Sequence, residues 1–131
     1  MSARVLVVDD DANIRSLLEV TFTTEGLEVE TARDGKEGLA AALLDPPAVI
    51  VLDVMMPVMD GWTTAAQLKA NERTRDVPIV FLSARTQDTD LRRGRELGAA
   101  AYVTKPFDVA DLAELVHDLI DPEGSAAARE W

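Results

Sequence analysis

At 131 residues, with 47% hydrophobic residues, no cysteine and a formal net charge of −11, the chain has the size of one domain able to bury a core. The composition excludes disulfides and thiolate metal centres, and the acidic balance argues against direct binding to nucleic acid, where clustered Lys and Arg must meet phosphates. No apolar stretch reaches membrane-spanning length, and Met1-Ser2-Ala3-Arg4 runs straight into an apolar segment, so a soluble cytoplasmic protein with no signal peptide and no membrane contact is expected.

The first predicted element is a strand, Val5-Leu6-Val7-Val8, which stops at Asp9-Asp10. Ile14, Leu17, Leu18, Thr21 and Phe22 then keep helical spacing up to Gly26, a plausible helix stop. From Leu27 to Ala32 apolar residues alternate with Glu28 and Glu30, as in a strand with one wetter face. Asp34-Gly35 turns the chain into a second helix through Leu39, Ala40 and Leu43, which ends before Pro46-Pro47. A third strand, Ala48 to Leu52, stops at Asp53, and the loop Val54-Met55-Met56-Pro57-Val58-Met59-Asp60-Gly61 leads to a helix over about Trp62 to Ala70. After Pro78 comes a fourth strand, Ile79 to Leu82, stopping at Ser83. Gln87 to Leu97 is the fourth helix, closed by Gly98; its Arg92-Arg93-Gly94-Arg95 cluster reads as a solvated face. The fifth strand, Ala99 to Val103, stops at Thr104-Lys105-Pro106, and Val109, Leu112, Val116, Leu119 and Ile120 stripe a fifth helix. Residues 121–131 carry no core pattern and read as a tail or the start of a linker ending in a dangling Trp131, which sets the domain at 1–120.

Strands alternating with helices imply parallel pairing through right-handed crossovers, hence a three-layer α/β sandwich. In such a sheet the carboxyl ends of the strands share one edge, where ligands bind. Asp9, Asp10, Asp53, Ser83 and Lys105 would therefore converge there. Clustered carboxylates repel one another unless a cation sits among them, and oxygen donors without Cys or His favour a hard ion such as Mg²⁺, with Mn²⁺ as a substitute. Such an ion would align a phosphoryl group with a carboxylate nucleophile. Lys105 would pair with the phosphoryl oxygens, Ser83 would donate a hydrogen bond, and Ala84 would leave room for entry. Each feature alone has a plainer use: Asp9-Asp10-Asp11 suits a helix N-terminus, Asp53 a turn, Ser83 a helix cap and Lys105 the surface. Their joint placement at strand ends favours the site.

The run Val7-Val8-Asp9-Asp10-Asp11, the segment Asp53 to Gly61, the pair Ser83-Ala84 and the stretch Tyr102-Val103-Thr104-Lys105-Pro106-Phe107 resemble the receiver domain of two-component response regulators, the CheY-like superfamily. The likeness covers about Ala3 to Ile120. It implies a flavodoxin-like, doubly wound (βα)5 sandwich with a parallel sheet of order 2-1-3-4-5. It also implies a signalling switch, not an enzyme acting on outside substrates. By this resemblance Asp53 accepts a phosphoryl group from a sensor histidine kinase, a phosphotransfer protein or a small acyl phosphate. Asp10, Asp53 and the backbone carbonyl of Met55 would hold Mg²⁺ directly, and Asp9 through water. Lys105, before a cis bond to Pro106, would hold the phosphoryl oxygens. Ser83 and Tyr102 would form the switch pair, the hydroxyl moving to the phosphoryl group and the ring turning inward. The face of the fourth helix, fifth strand and fifth helix would then change its preference for a downstream protein or output domain.

Some positions depart from the family. Receivers attached to winged-helix DNA-binding domains often carry two acidic residues where this chain has Ala100-Ala101, and basic residues on the last helix, which here offers Asp111, Glu114, Asp118 and the surface residue His117. A monomer, or a weak phosphorylation-dependent dimer, is expected. Met55 and Arg85, two residues after Asp53 and Ser83, flank the path of the attacking water in the family, and their bulk predicts slow loss of the phosphoryl group. Kinase specificity is expected around Asn13, Arg15, Ser16 and Val20 and on the loop after Lys105. Two rivals remain at this stage. One is a phosphorylation-independent interaction module. The other is an Asp-based phosphohydrolase, disfavoured because Met55 stands where a general acid is needed and no insertion is long enough for a cap.

Overall fold

Apolar runs as continuous as Val5 to Val8 and Val49 to Leu52 need cover on both faces of a sheet, and here they have it. The structure, a computed structural model, describes residues 3–85 and 87–121, so the expected tail beyond Asp121, Trp131 included, lies outside the described residues. The elements run β1 (Arg4–Val8), α1 (Ala12–Thr24), β2 (Glu28–Ala32), α2 (Gly35–Leu44), β3 (Val49–Asp53), α3 (Gly61–Ala70), β4 (Ile79–Ser83), α4 (Asp88–Glu96), β5 (Ala101–Thr104) and α5 (Val109–Ile120). All pairings are parallel, in the order β2-β1-β3-β4-β5, which is the fold expected from the sequence.

Strand alternation sorts the core into two halves. Val5, Val7, Val49, Val51, Val80 and Leu82 face one side and pack with Leu18 and Phe22 of α1 and Leu112 and Val116 of α5. Leu6, Val8, Ile50, Leu52, Ile79 and Phe81 face the other and pack with Trp62, Ala65 and Leu68 of α3. β2 lies at the sheet edge, and its burial alternates as the Glu28 and Glu30 pattern predicts.

Boundaries differ in a few places. Residues Ala99 and Ala100 precede β5 instead of opening it. The Ala99 N–H closes the end of α4 on the Gly94 carbonyl at 3.1 Å, and Ala100 donates to Ile79 at 2.8 Å on the approach to the strand. The third strand begins at Val49 and includes Asp53, α3 begins one residue early at Gly61, and α4 is one residue shorter at each end than its spacing predicts. Gly26 and Gly98, with φ of +85° and +77°, stand after α1 and α4 in the left-handed conformation that ends helices.

Candidate functional site

Parallel register places the ends of β1, β3, β4 and β5 along one edge, pairing Val8 with Leu52, Asp53 with Leu82 and Ser83 with Thr104. Asp9 and Asp10 follow β1 directly, Asp53 closes β3 and Ser83 closes β4. Asp9, Asp10 and Asp53 each bring a carboxylate oxygen within 4.8 Å of the others. The Lys105 ammonium reaches in from the end of β5, 3.0 Å from Asp9 Oδ2 and 3.2 Å from Asp53 Oδ1. The Lys105–Pro106 peptide is cis.

These groups are not equally free. Asp9 is fully buried and engaged on both oxygens, one by Lys105 and the other by the Asp11 N–H at 2.9 Å. Asp53 is buried at the floor, while Asp10 is open to solvent. Burial raises the Asp53 carboxyl from 3.8 to about 7; the Asp9 charge adds to this and Lys105 opposes it. Burial works against the Lys105 ammonium too, but Asp9 and Asp53 outweigh it and its pKa is raised. The pocket is thus overloaded with acid for a single lysine, and a divalent cation would relieve it.

Asp11 resolves the reading of the acidic run. Its carboxylate accepts the Asn13 N–H at 2.8 Å and caps α1, which leaves Asp9 and Asp10 to the pocket. Nor does Ser83 cap a helix, since α4 begins at Asp88. Its buried hydroxyl instead accepts the Arg85 N–H at 3.0 Å. The Tyr102 ring is buried, 6.3 Å from both Trp62 and Phe81, and its hydroxyl donates to the Arg85 carbonyl at 2.6 Å. The ring is already inward here. Burial raises the phenol's pKa, and the Ser83 hydroxyl offsets part of that, so the two residues of the expected switch pair feel each other. Met55, 57% exposed, lies at the rim, with its Sδ 3.8 Å from Arg85 Nη1.

Three contributors escaped the sequence reading as site residues. The Arg15 guanidinium donates to the Asp9 carbonyl at 2.8 Å, so a side chain expected to meet a kinase braces the β1–α1 loop. No local pattern signals that contact. Gly61 is a second. A Cβ there would fall 2.4 Å from the Asp53 carbonyl oxygen and 2.8 Å from Val54 Cα, so α3 can start against the end of β3 only with glycine. Its place in the loop after Asp53 was the available signal. The third is Asp90, 6% exposed, whose Oδ1 lies 3.3 Å from Arg85 Nε. In sequence it reads as an acid in the first turn of a helix.

A family model described as the response regulator receiver domain matches residues 5–117. The response regulator PleD of Caulobacter vibrioides is 48% identical over 120 residues, which are 91% of this chain and 26% of PleD. The chain spans between 26% and 53% of the length of the curated relatives it resembles here. Chemotaxis protein CheY4 of Vibrio cholerae superposes with a TM-score of 0.86 at 34% identity, covering 91% of this chain and 99% of that one. The receiver domain of sensor histidine kinase PA1611 from Pseudomonas aeruginosa, with a magnesium ion coordinated in its active-site cleft, gives 0.84 at 27% identity, over 92% and 98% of the two chains.

Proposed function

The chain belongs to the response regulator receiver domain family, and on that premise we propose that it is a switch phosphorylated on Asp53. The donor is a sensor histidine kinase, a phosphotransfer protein or a small acyl phosphate. The reader is a downstream protein or an output domain of a longer chain, since the curated relatives extend well beyond the receiver. In this reading 1–120 is the receiver unit, 121–131 is a tail or linker start, and the protein works in the cytoplasm as a monomer or weak phosphorylation-dependent dimer.

One observation carries the proposal: three carboxylates lie within 4.8 Å of one another and Lys105 lies 3.2 Å from Asp53 Oδ1. The donor set is all oxygen, which fits Mg²⁺ or Mn²⁺. Asp10, Asp53 and the Met55 carbonyl would hold the ion directly, and Asp9, with both oxygens engaged, through water. When bound, the ion neutralises charge on the incoming phosphoryl group. The remaining work belongs to side chains. An Asp53 oxygen forms a bond to phosphorus as the bond from phosphorus to the donor's nitrogen or oxygen breaks. Lys105, already between Asp9 and Asp53, holds the new phosphoryl oxygens as a point charge. Ser83 gives up the Arg85 N–H and donates its hydroxyl to the same group. That movement alters the Arg85 segment, on whose carbonyl the Tyr102 hydroxyl rests, and so reaches the α4–β5–α5 face. Met55 and Arg85 set how long the phosphoryl group lasts.

A groove of about 460 Å³ lined by Ile14, Leu17, Ala84, Lys105, Pro106 and Phe107 lies beside the phosphoacceptor and suits a kinase surface. The test of the whole reading is intact mass after incubation with acetyl phosphate. One added phosphoryl group that needs both the divalent cation and Asp53 is the expected result, with Asp53→Asn as the control. An unmodified chain that neither binds Mg²⁺ nor releases phosphate from the donor would make this an interaction module without phosphate chemistry.

A further inference from the structure

The segment after β4 is tied down at Arg85. The Arg85 N–H is on Ser83, its carbonyl is on Tyr102, and its guanidinium is held between Met55 Sδ and Asp90 Oδ1. Packing does not dictate that last position. The Arg85 side chain is half exposed, and the cavity beside it, about 320 Å³ between Met55, Trp62 and Arg93, leaves it room to swing. A guanidinium contact with a thioether is weak, so the Asp90 carboxylate is the group able to fix its direction.

Asp90 is an unusual choice for that task. It sits in the first turn of α4 and, with Gly94, is one of the two residues this helix buries. A carboxylate is seldom buried without full pairing, yet Asp90 Oδ2 has no hydrogen-bond partner among the described residues. Helix-dipole stabilisation alone would be met equally well by an exposed acid such as Asp88, two residues earlier in the same first turn. Something other than helix stability places a half-satisfied carboxylate under Arg85.

We propose that Asp90 is a positioning residue: it aims the Arg85 guanidinium across the rim beside Met55, where the side chain obstructs the water that would remove the phosphoryl group from Asp53. This rests on the reading of Asp53 as phosphoacceptor and of Arg85 as a brake. In the braked reaction a water oxygen bonds to phosphorus as the bond to the Asp53 oxygen breaks. Inorganic phosphate leaves, the carboxylate is restored, and the water's protons pass to phosphate and solvent. Because Asp90 belongs to α4, a movement of that helix would also release the brake, which ties phosphoryl lifetime to whatever binds the α4 face.

The experiment is a double-mutant cycle on the rate of phosphoryl loss, followed by intact mass after removal of acetyl phosphate, on wild type, Asp90→Asn, Arg85→Ala and the double variant. Asp90→Asn should lose the group about fivefold faster, the size expected when one partly exposed ion pair is removed. It should change nothing further in the Arg85→Ala background. Asp90→Glu should stay near wild type, and phosphorylation by acetyl phosphate should proceed as before in Asp90→Asn. If Arg85→Ala speeds the loss and Asp90→Asn does not, Asp90 has no positioning role while the brake stands. Equal acceleration by Asp90→Asn in both backgrounds overturns the route through Arg85. No change in any variant removes the brake itself, and absence of phosphorylation in wild type removes the phosphoacceptor reading beneath it. Should Asp90→Asn lower the melting temperature sharply, Asp90→Ser carries the same comparison.

Discussion

Burial first, and the charge of Asp9 second, raise the Asp53 carboxyl from 3.8 to about 7, against the pull of Lys105. A folded-state value above the unfolded one means that the unfolded chain binds fewer protons between the two. Stability from this group therefore falls as pH rises from about 4 to about 7 and levels off above. In a chelating buffer, Asp53→Asn should melt at a higher temperature than wild type near pH 8, with a margin that shrinks as pH falls toward 4. Added Mg²⁺ should close much of that margin near pH 8 by raising wild type alone. Thermal melts across pH check both points; a margin independent of pH would mean that Asp53 ionises as easily folded as unfolded. The crowding of buried charge that costs stability is thus the same property that would suit the site to a cation.

Among the elements, helix α4 stands apart. Helices α1, α2, α3 and α5 open on Asp11, Asp34, Asp60 and Asp108, each accepting a backbone N–H at 2.8 to 3.0 Å, a contact worth about 1 kcal/mol apiece. Helix α4 opens on Gln87 with no side-chain cap and buries Asp90 and Gly94 rather than large apolar groups. By cap and by buried residues it is the least anchored of the five, which suits the proposed relay through its face. The β3–α3 loop contains a different cost. Val58, 77% exposed, has φ of +70°, and the Met59 N–H closes on the Pro57 carbonyl at 2.8 Å around it. A β-branched residue is strained in that conformation, and water on its side chain returns no packing. Val58→Gly should therefore stabilise the fold by about 1 kcal/mol after allowance for glycine's freedom in the unfolded chain. Urea unfolding with an unchanged slope and a higher midpoint is the expected record; a lower midpoint would mean that the valine side chain supports the loop.

At the scale of the molecule, the sheet gathers four strand ends into one pocket, and the helices around that edge would divide the proposed tasks. Helix α1 leaves Leu17 and Val20 46% and 66% exposed beside the groove that reaches Pro106 and Phe107. An apolar patch on an otherwise strongly acidic chain is suited to a partner surface. Substitution at Asn13, Ser16 or Val20 should change transfer from a given histidine kinase by about tenfold, equivalent to a modest interface contact, and leave phosphorylation by acetyl phosphate intact. Equal loss with both donors would mean that α1 supports the fold and does not choose the kinase. Arg15 is set apart from that group because it holds the Asp9 carbonyl, so its replacement should impair both reactions.

Much of this was legible in the chain because the governing forces are local or periodic. Uninterrupted apolar runs require two covered faces, strand–helix alternation requires parallel crossovers, and polar residues at the ends of such strands must share an edge. Asp9, Asp10, Asp53, Ser83 and Lys105 could therefore be grouped before any coordinates, and the family resemblance assigned their parts. What needed the tertiary structure were contacts between residues whose sequence separation has no period. Asp11 leaves the acidic cluster to cap α1, Arg15 turns back to Asp9, Gly61 admits α3 against β3, and Tyr102 lies inward on the Arg85 carbonyl. Asp90 is the clearest case. Sequence places it at a helix start where any acid is at home, and only the packing of α4 on the sheet buries it under Arg85. Burial is a property of the assembled layers, and it converts an ordinary helix-end carboxylate into a group that must answer to its neighbours.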